Sequence, residues 1–254
     1  MGATTVSNCF NYGTISYRDG YQSIGGIVGW LNYATTQGVG SSITKCGNEG
    51  SLSGGKYIGG IVGYAFYSAE GTLELSELYN TGSISGSDGV GGILGYVTIA
   101  SSKASPGTYS GMYNTGSVTS STGNYVGGIA GNWTAKYPSV LSGMYAAGTL
   151  TITGSKTNHA AAFGRLSASG SSSDGNLTVD SLFYLSGLDT YAYLATSSVL
   201  SNVTEANILT GQAAFFKSNN FFTYMDDLAY LFARDTENIN NSYPILAFQT
   251  KKSL

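Results

Sequence analysis

Three kinds of residue are scarce in this sequence, and each scarcity closes off a class of protein. Charged side chains make up 10% of the 254 residues, against about a quarter in an ordinary soluble domain. The 11 Lys+Arg stand against 14 Asp+Glu with no run of one sign, so there is no basic stripe with which to bind nucleic acid. There are 2 Cys and 1 His; Cys9 and Cys46 lie far apart with no second pair, too few ligands for a zinc site. Long apolar runs are missing too. No stretch approaches the roughly 18 uninterrupted apolar residues of a membrane helix, and Met1-Gly2 leads into neither a charged n-region nor an apolar h-region. The segment reads as a soluble piece with no membrane insertion of its own, from a protein whose signal peptide and anchoring regions lie outside it.

What is abundant is Gly (37) and Tyr (20), within a hydrophobic share of 42%. That much Val, Ile, Leu and Tyr fills an interior and excludes a disordered chain. With 3 Pro and many Gly, Ser and Thr, the composition predicts many short strands broken by glycine turns.

The strongest signal is an internal repeat. One element, Asn-x-Gly-Ser/Thr-apolar-Ser/Thr, begins at Asn11, Asn48, Asn80 and Asn114, and recurs with Ala146 in the Asn place. A second, Gly-Gly-Ile-Val-Gly and variants, follows each time at Gly25, Gly59, Gly91 and Gly127, degenerating to Ala160-Ala-Ala-Phe-Gly. Helical repeats do not fit, because the runs alternate with period two and are rich in β-branched residues. Each unit predicts three short strands, stacked on the same strands of the next unit at about 4.8 Å. The expected fold is all-β, a right-handed parallel β-helix of about five turns.

Alignment of the units predicts which positions face inward. Cys9, Cys46, Leu78, Met112 and Met144 form one interior ladder; Ile15, Leu52, Ile84, Val118 and Leu150 form another. Asn11, Asn48, Asn80 and Asn114 are expected to stack at a turn, their amides bonded to one another and to turn backbone. Cys9 and Cys46, neighbours on adjacent turns, read as buried free thiols in an apolar ladder; their spacing would also admit a disulfide.

Tandem Tyr-Asn-x-Gly-Ser-Ile and Val-Gly-Gly-Ile-Val-Gly units resemble the GLUG-motif repeats of large secreted or surface-attached bacterial proteins. The resemblance covers residues 7–185, and Asn240-Asn-Ser-Tyr-Pro-Ile-Leu246 is similar to the Asn-Gly-Tyr-Pro-x-Leu ending of such arrays, with Ser242 in place of Gly. It implies a non-catalytic module of an extracellular, adhesin-like bacterial surface protein.

Residues 1–189 thus form the repeat domain and 190–254 a C-terminal cap, needed because an open β-helix end exposes strand edges and core. Within the cap, Ser201 to Lys217 predicts a short helix with Asn202 as N-cap and Glu205 at N3. Phe221 to Phe248 predicts final strands or a closing turn.

Candidate chemistry is thin. His159 occupies the place of Ile24, Ile58, Val90 and Val126, with no nucleophile marked out beside it. The Gly-Gly-x-x-Gly loops lack the Lys-Ser/Thr and the helix of a phosphate cradle and read as close backbone packing. A β-helix polysaccharide hydrolase or lyase, the alternative reading, needs flanking carboxylates; Asp19, Glu49, Asp88 and Asp174 fall in different turns, and Asp226-Asp227 lies in the cap. No cofactor or metal is expected. Hydroxyl pairs such as Ser51/Ser53 and Ser83/Ser85 read as a solvated strand face. The position before each Asn, held by Phe10, Gly47, Tyr79, Tyr113, Tyr145 and Phe183, points opposite to the interior ladder. Phe10, Tyr79, Tyr113 and Tyr145 are therefore the candidate ligand-binding residues, an aromatic strip suited to sugar rings or a protein partner. The competing reading of the strip is stacking that stabilises parallel strands under a covering loop.

Overall fold

A computed structural model of the chain describes residues 4–17, 22–33, 40–68, 70–100, 107–136, 138–155, 157–168, 177–189, 191–195, 203–206 and 209–251. Asp19, Asp174 and Asn202 lie outside the described residues. The chain winds into a parallel β-solenoid of about five turns. Its second to fourth turns run through a strand of sheet A (Ser41–Asn48, Leu73–Asn80, Thr108–Asn114), then sheet B (Leu52–Ser53 with Lys56–Gly59, Ile84–Gly91, Val118–Gly127), then sheet C (Val62–Tyr67, Leu94–Ile99, Ala130–Ala135). These are the three strands predicted for each repeat, stacked in register: Leu78 pairs with Cys46 and Met112, and Ile84 with Leu52 and Val118.

The expected interior ladders are inside in the middle turns, in two separate cores, whereas Ile15 in the first turn is exposed and Cys9 and Leu150 are half-buried. Cys46, Leu78, Met112, Met144 and Leu182 pack against sheet C residues such as Val62, Leu94 and Phe163. Leu52, Ile84 and Val118, with Ile58, Val90 and Val126, fill a smaller lobe behind sheet B. Between them runs the asparagine column. Nδ2 of Asn11 donates to Oδ1 of Asn48 at 2.7 Å, Asn48 to Asn80 at 2.6 Å and Asn80 to Asn114 at 2.7 Å. Each Nδ2 also donates to the carbonyl of the glycine two residues on. Buried amides are costly unless satisfied in this way, and the column ends where Ala146 replaces Asn. The glycine of the motif is steric: a Cβ on Gly82 would stand 1.9 Å from the carbonyl oxygen of Gly50.

Every sheet A strand of the first six layers carries one left-handed residue just before its inward ladder: Asn8, Lys45, Glu77, Gly111, Gly143 and Ser181, with φ between 51° and 65°. This bulge turns the strand so that the next two side chains go in and out respectively.

Two expectations for the C-terminal region are corrected. The helix expected over Ser201 to Lys217 is mostly strand: Val203–Ala206 and Leu209–Gly211 pair in parallel with Leu177–Leu185 and continue sheet A, while Tyr193–Ala195 continues sheet C. The unpaired backbone of the last full strand outweighs local helix signals, because an open sheet edge offers a row of hydrogen-bonding groups. Helix begins only at α1 (Ala213–Phe216), followed by α2 (Asn219–Met225), a 3-10 segment (Asp226–Leu231) and a two-stranded antiparallel pair, Phe232–Ala233 with Ile245–Leu246. Phe221 to Phe248, expected as final strands or a closing turn, is helical through Leu231, with strand only at Phe232–Ala233 and Ile245–Leu246. This C-terminal unit lies on the outer face of sheet A, where Phe216, Phe221, Met225, Leu231, Phe232 and Leu246 bury the aromatic column. Gly111 and Gly143 leave room for it, with Leu231 side-chain carbons 3.5 and 3.1 Å from where a Cβ would be.

Candidate functional site

The predicted strip exists as a column but not as a surface. Tyr79, Tyr113 and Tyr145 stack with ring centroids 5.4 and 5.1 Å apart and planes within 15° and 4° of parallel. Their outward direction is as expected; their exposure is not, since all three are buried, Tyr113 and Tyr145 at 0%. Phe10 is half-buried against Tyr79 and Phe248. The phenols of Tyr113 and Tyr145 are satisfied by the C-terminal unit. Tyr113 donates to Oε1 of Gln249, Tyr145 to the Pro244 carbonyl, and Asn240 Nδ2 donates to the Tyr145 oxygen at 3.0 Å. Asp235 holds that loop in shape by accepting from the backbone N–H groups of Ile239, Asn240 and Ser242. The Asn240–Leu246 motif is thus the piece that docks on the column. Tyr79, which donates to Glu49, Tyr113, Tyr145 and Phe10 are corrected as site residues: the column is internal stacking.

A different aromatic face is open. On sheet C the residue after each Gly-Ile-Val-Gly element points outward, because its neighbours Leu31, Ala65, Val97, Trp133 and Leu166 point into the core. The registered outward column is Trp30, Tyr64, Tyr96, Asn132 and Arg165, with Asn32, Phe66, Thr98, Thr134 and Ser167 beside it. Trp30 is 61% exposed, and Tyr64, Phe66 and Tyr96 are half-buried; farther along, Asn132 and Ser167 are buried.

Sheet B adds two rings from the side. Tyr57 and Tyr125 have φ of 56° and 55°, a conformation uncommon for non-glycine residues. Each is an extra residue between an outward polar side chain and an inward Ile58 or Val126. The bulge swings the ring over the sheet B to sheet C corner. Tyr57 lies 5.5 Å from Tyr64 and 4.8 Å from Tyr96, and Tyr125 lies 6.1 Å from Tyr96. Glycine takes this position in the turn between them, for a Cβ on Gly89 would be 2.6 Å from the Tyr57 ring. The Arg165 guanidinium lies 5.5 Å from the Tyr125 centroid and donates to its hydroxyl at 3.3 Å, a cation–π contact. Burial raises the phenol pKa values of Tyr57 and Tyr96, with Asp88 adding to the effect on Tyr57 and Tyr125 to that on Tyr96; both stay protonated donors.

A polar ladder borders the band. Lys56 Nζ is 3.9 Å from Asp88 Oδ2, Asn124 donates to Asp88 at 3.1 Å, and Asn158 donates to Asn124 at 2.9 Å. In the fifth turn the bulge residue is missing, and His159 stands directly in the Val126 column, as its alignment predicted. Its Nδ1 is 2.5 Å from Oδ2 of Asp189, whose side chain is 8% exposed. This pair joins the fifth turn to the segment after sheet A. Among the described residues, no three or more His, Cys, Asp or Glu gather as a metal site, and no helix is long and apolar enough to cross a membrane.

Sequence reasoning missed Trp30, Tyr57, Tyr64, Tyr96, Tyr125 and Arg165. The signal for the first column was present: an aromatic follows the motif glycine in turns one to three, at alternating phase. Tyr57 and Tyr125 gave none, because their placement depends on a bulge. No protein-family model, no curated protein and no solved structure matches this chain.

Proposed function

We propose that this chain is a non-catalytic binding and scaffold module of an extracellular bacterial surface protein, akin to GLUG-motif repeat proteins, and that it contacts an extracellular glycan or protein through the sheet C band. The observation that carries this reading is the run of rings from Trp30 through Tyr64 and Tyr96 on the outside of a sheet. Aromatic side chains are usually buried for their large apolar area, and an exposed group of them marks a contact surface. The rigid solenoid serves the same end, since it holds those rings at fixed spacing before any ligand arrives, which lowers the ordering cost of binding.

The test is a screen of the 254-residue chain against glycan and host-protein arrays, repeated with the variant Trp30→Ala/Tyr64→Ala/Tyr96→Ala. These positions face outward, so the fold survives, as circular dichroism would verify. Binding lost in the variant supports the reading. A hit bound equally by both proteins, or breakdown of a polysaccharide by the pure protein, sinks it.

A further inference from the structure

The shape and chemistry of the band narrow its ligand. Resting on the reading just given, we infer that the sheet C band binds an uncharged, linear polysaccharide, laid along the solenoid axis across the turns.

Shape sets the direction. The aromatic column is long along the axis, from Trp30 in turn one to Tyr125 in turn four, but only two side chains wide along each strand. A rod-like ligand fits such a surface; a branched or globular one leaves most of it bare. Successive ring centroids are 6.1, 5.6 and 6.1 Å apart from Trp30 through Tyr64 and Tyr96 to Tyr125, a step of the same order as one pyranose unit. The axial C–H groups of a pyranose carry partial positive charge and match the negative face of an aromatic ring.

Ring attitude argues for a single chain and against a flat crystalline surface. Trp30 and Tyr57 lie within 33° and 31° of the Tyr64 plane, whereas Tyr96 stands at 69° to Tyr64 and Tyr125 at 85° to Tyr96. The rings do not share a plane, so a flat crystalline face cannot rest on all of them at once, whereas a single flexible chain can follow them.

Charge complementarity decides the rest. Charge is sparse on this face: Lys56 is paired with Asp88, and Arg165 rests on the Tyr125 ring and hydroxyl. A uronate or sulfate chain, charged at regular intervals, would meet no row of cations among the described residues of the two outward columns. What the rings themselves offer is hydroxyl chemistry, from the phenols of Tyr57, Tyr64 and Tyr96. Those groups both donate and accept, as sugar hydroxyls do.

The experiment titrates the whole protein with β-1,4-linked gluco-, manno- and xylo-oligosaccharides of increasing length, and with polyuronate and sulfated chains, following intrinsic fluorescence. Trp30 is exposed and Trp133 is 0% exposed, so a ligand on the band changes the Trp30 signal alone, and Trp30→Phe removes that change. Affinity for a neutral series is expected to rise with chain length until the band is spanned, and to change little with salt. Tyr64→Ala and Tyr96→Ala are each expected to weaken it about tenfold. Preference for anionic chains with steep salt dependence would overturn the inference, as would the absence of binding by every neutral series. If instead a protein ligand binds and the triple alanine variant abolishes it, this inference fails while the proposed function stands. If no ligand of any class depends on the band, both fail.

Discussion

The hydroxyl of Tyr113 donates to Oε1 of Gln249, 136 residues further along the chain, at 3.0 Å. Gln249 is itself fixed, since the same oxygen accepts the backbone N–H of Leu246 at 2.8 Å. Through such bonds the C-terminal unit becomes the outer wall of sheet A. Tyr113→Phe should therefore cost only about 1 kcal/mol, because Oε1 keeps one donor. Tyr145→Ala, which removes a fully buried ring under α2, should cost about 3–5 kcal/mol. Denaturant titration of both variants checks the order; equal losses would mean that the wall is held by polar contacts alone.

The asparagine column should behave as a cooperative polar ladder. Asn80 is buried and bonded to Asn48, Asn114 and Gly82. Asn80→Ala leaves those buried partners unsatisfied, at an expected cost of about 3 kcal/mol, whereas Asn11→Ala, at the partly open first turn, should cost about 1 kcal/mol. Thermal melts of the two variants would show whether burial sets the difference.

Two glycines predict opposite outcomes for the same substitution. In Gly91→Ala the new Cβ would lie 2.0 Å from the Leu94 carbonyl oxygen and 2.7 Å from the Gly131 nitrogen. These are backbone atoms of its own turn and of the next, so the solenoid cannot close and the variant is expected in the insoluble fraction. Gly187, at φ +88°, has nothing within 4 Å of a Cβ; Gly187→Ala pays only backbone strain, about 1–2 kcal/mol. Soluble yield and melting temperature separate the two.

Alkali should unfold the protein. Burial pushes the Tyr67 phenol up to about 12, and it raises Tyr79, Tyr109, Tyr113 and Tyr145 further still. In the unfolded chain these phenols titrate near 10. The folded pKa is the higher, so the folded state holds more protons above pH 10. Stability is intact below that pH and falls as pH rises toward and past 12. Phenolate absorbance should show these rings ionising only as the fold is lost. Burial likewise pushes the Cys46 thiol up to about 11, so alkylation of Cys46 at pH 8 should be slow until denaturant is added. A smooth titration of all tyrosines with no unfolding step would contradict the burial described.

The repeat, the three strands per turn, both interior ladders, the asparagine column and the odd place of His159 were all legible in the residues. The reason is physical: parallel stacking in register makes one sequence period equal one layer, so residues at the same phase must share one environment. Outward direction was legible for the same reason, as Tyr79, Tyr113 and Tyr145 show. Whether an outward residue meets water was not. That depended on Gln249, Pro244, Asn240 and Leu231, which belong to no repeat and reach sheet A only through the tertiary fold. Strand at Val203–Ala206, where the local pattern suggested helix, was decided by the unpaired edge of Leu177–Leu185. The open band was decided likewise, by bulges at Tyr57 and Tyr125 that aim two rings from sheet B at a column from sheet C. Periodicity dictates which side of a strand a residue takes; only packing between distant segments determines which sides are covered and which remain free to bind.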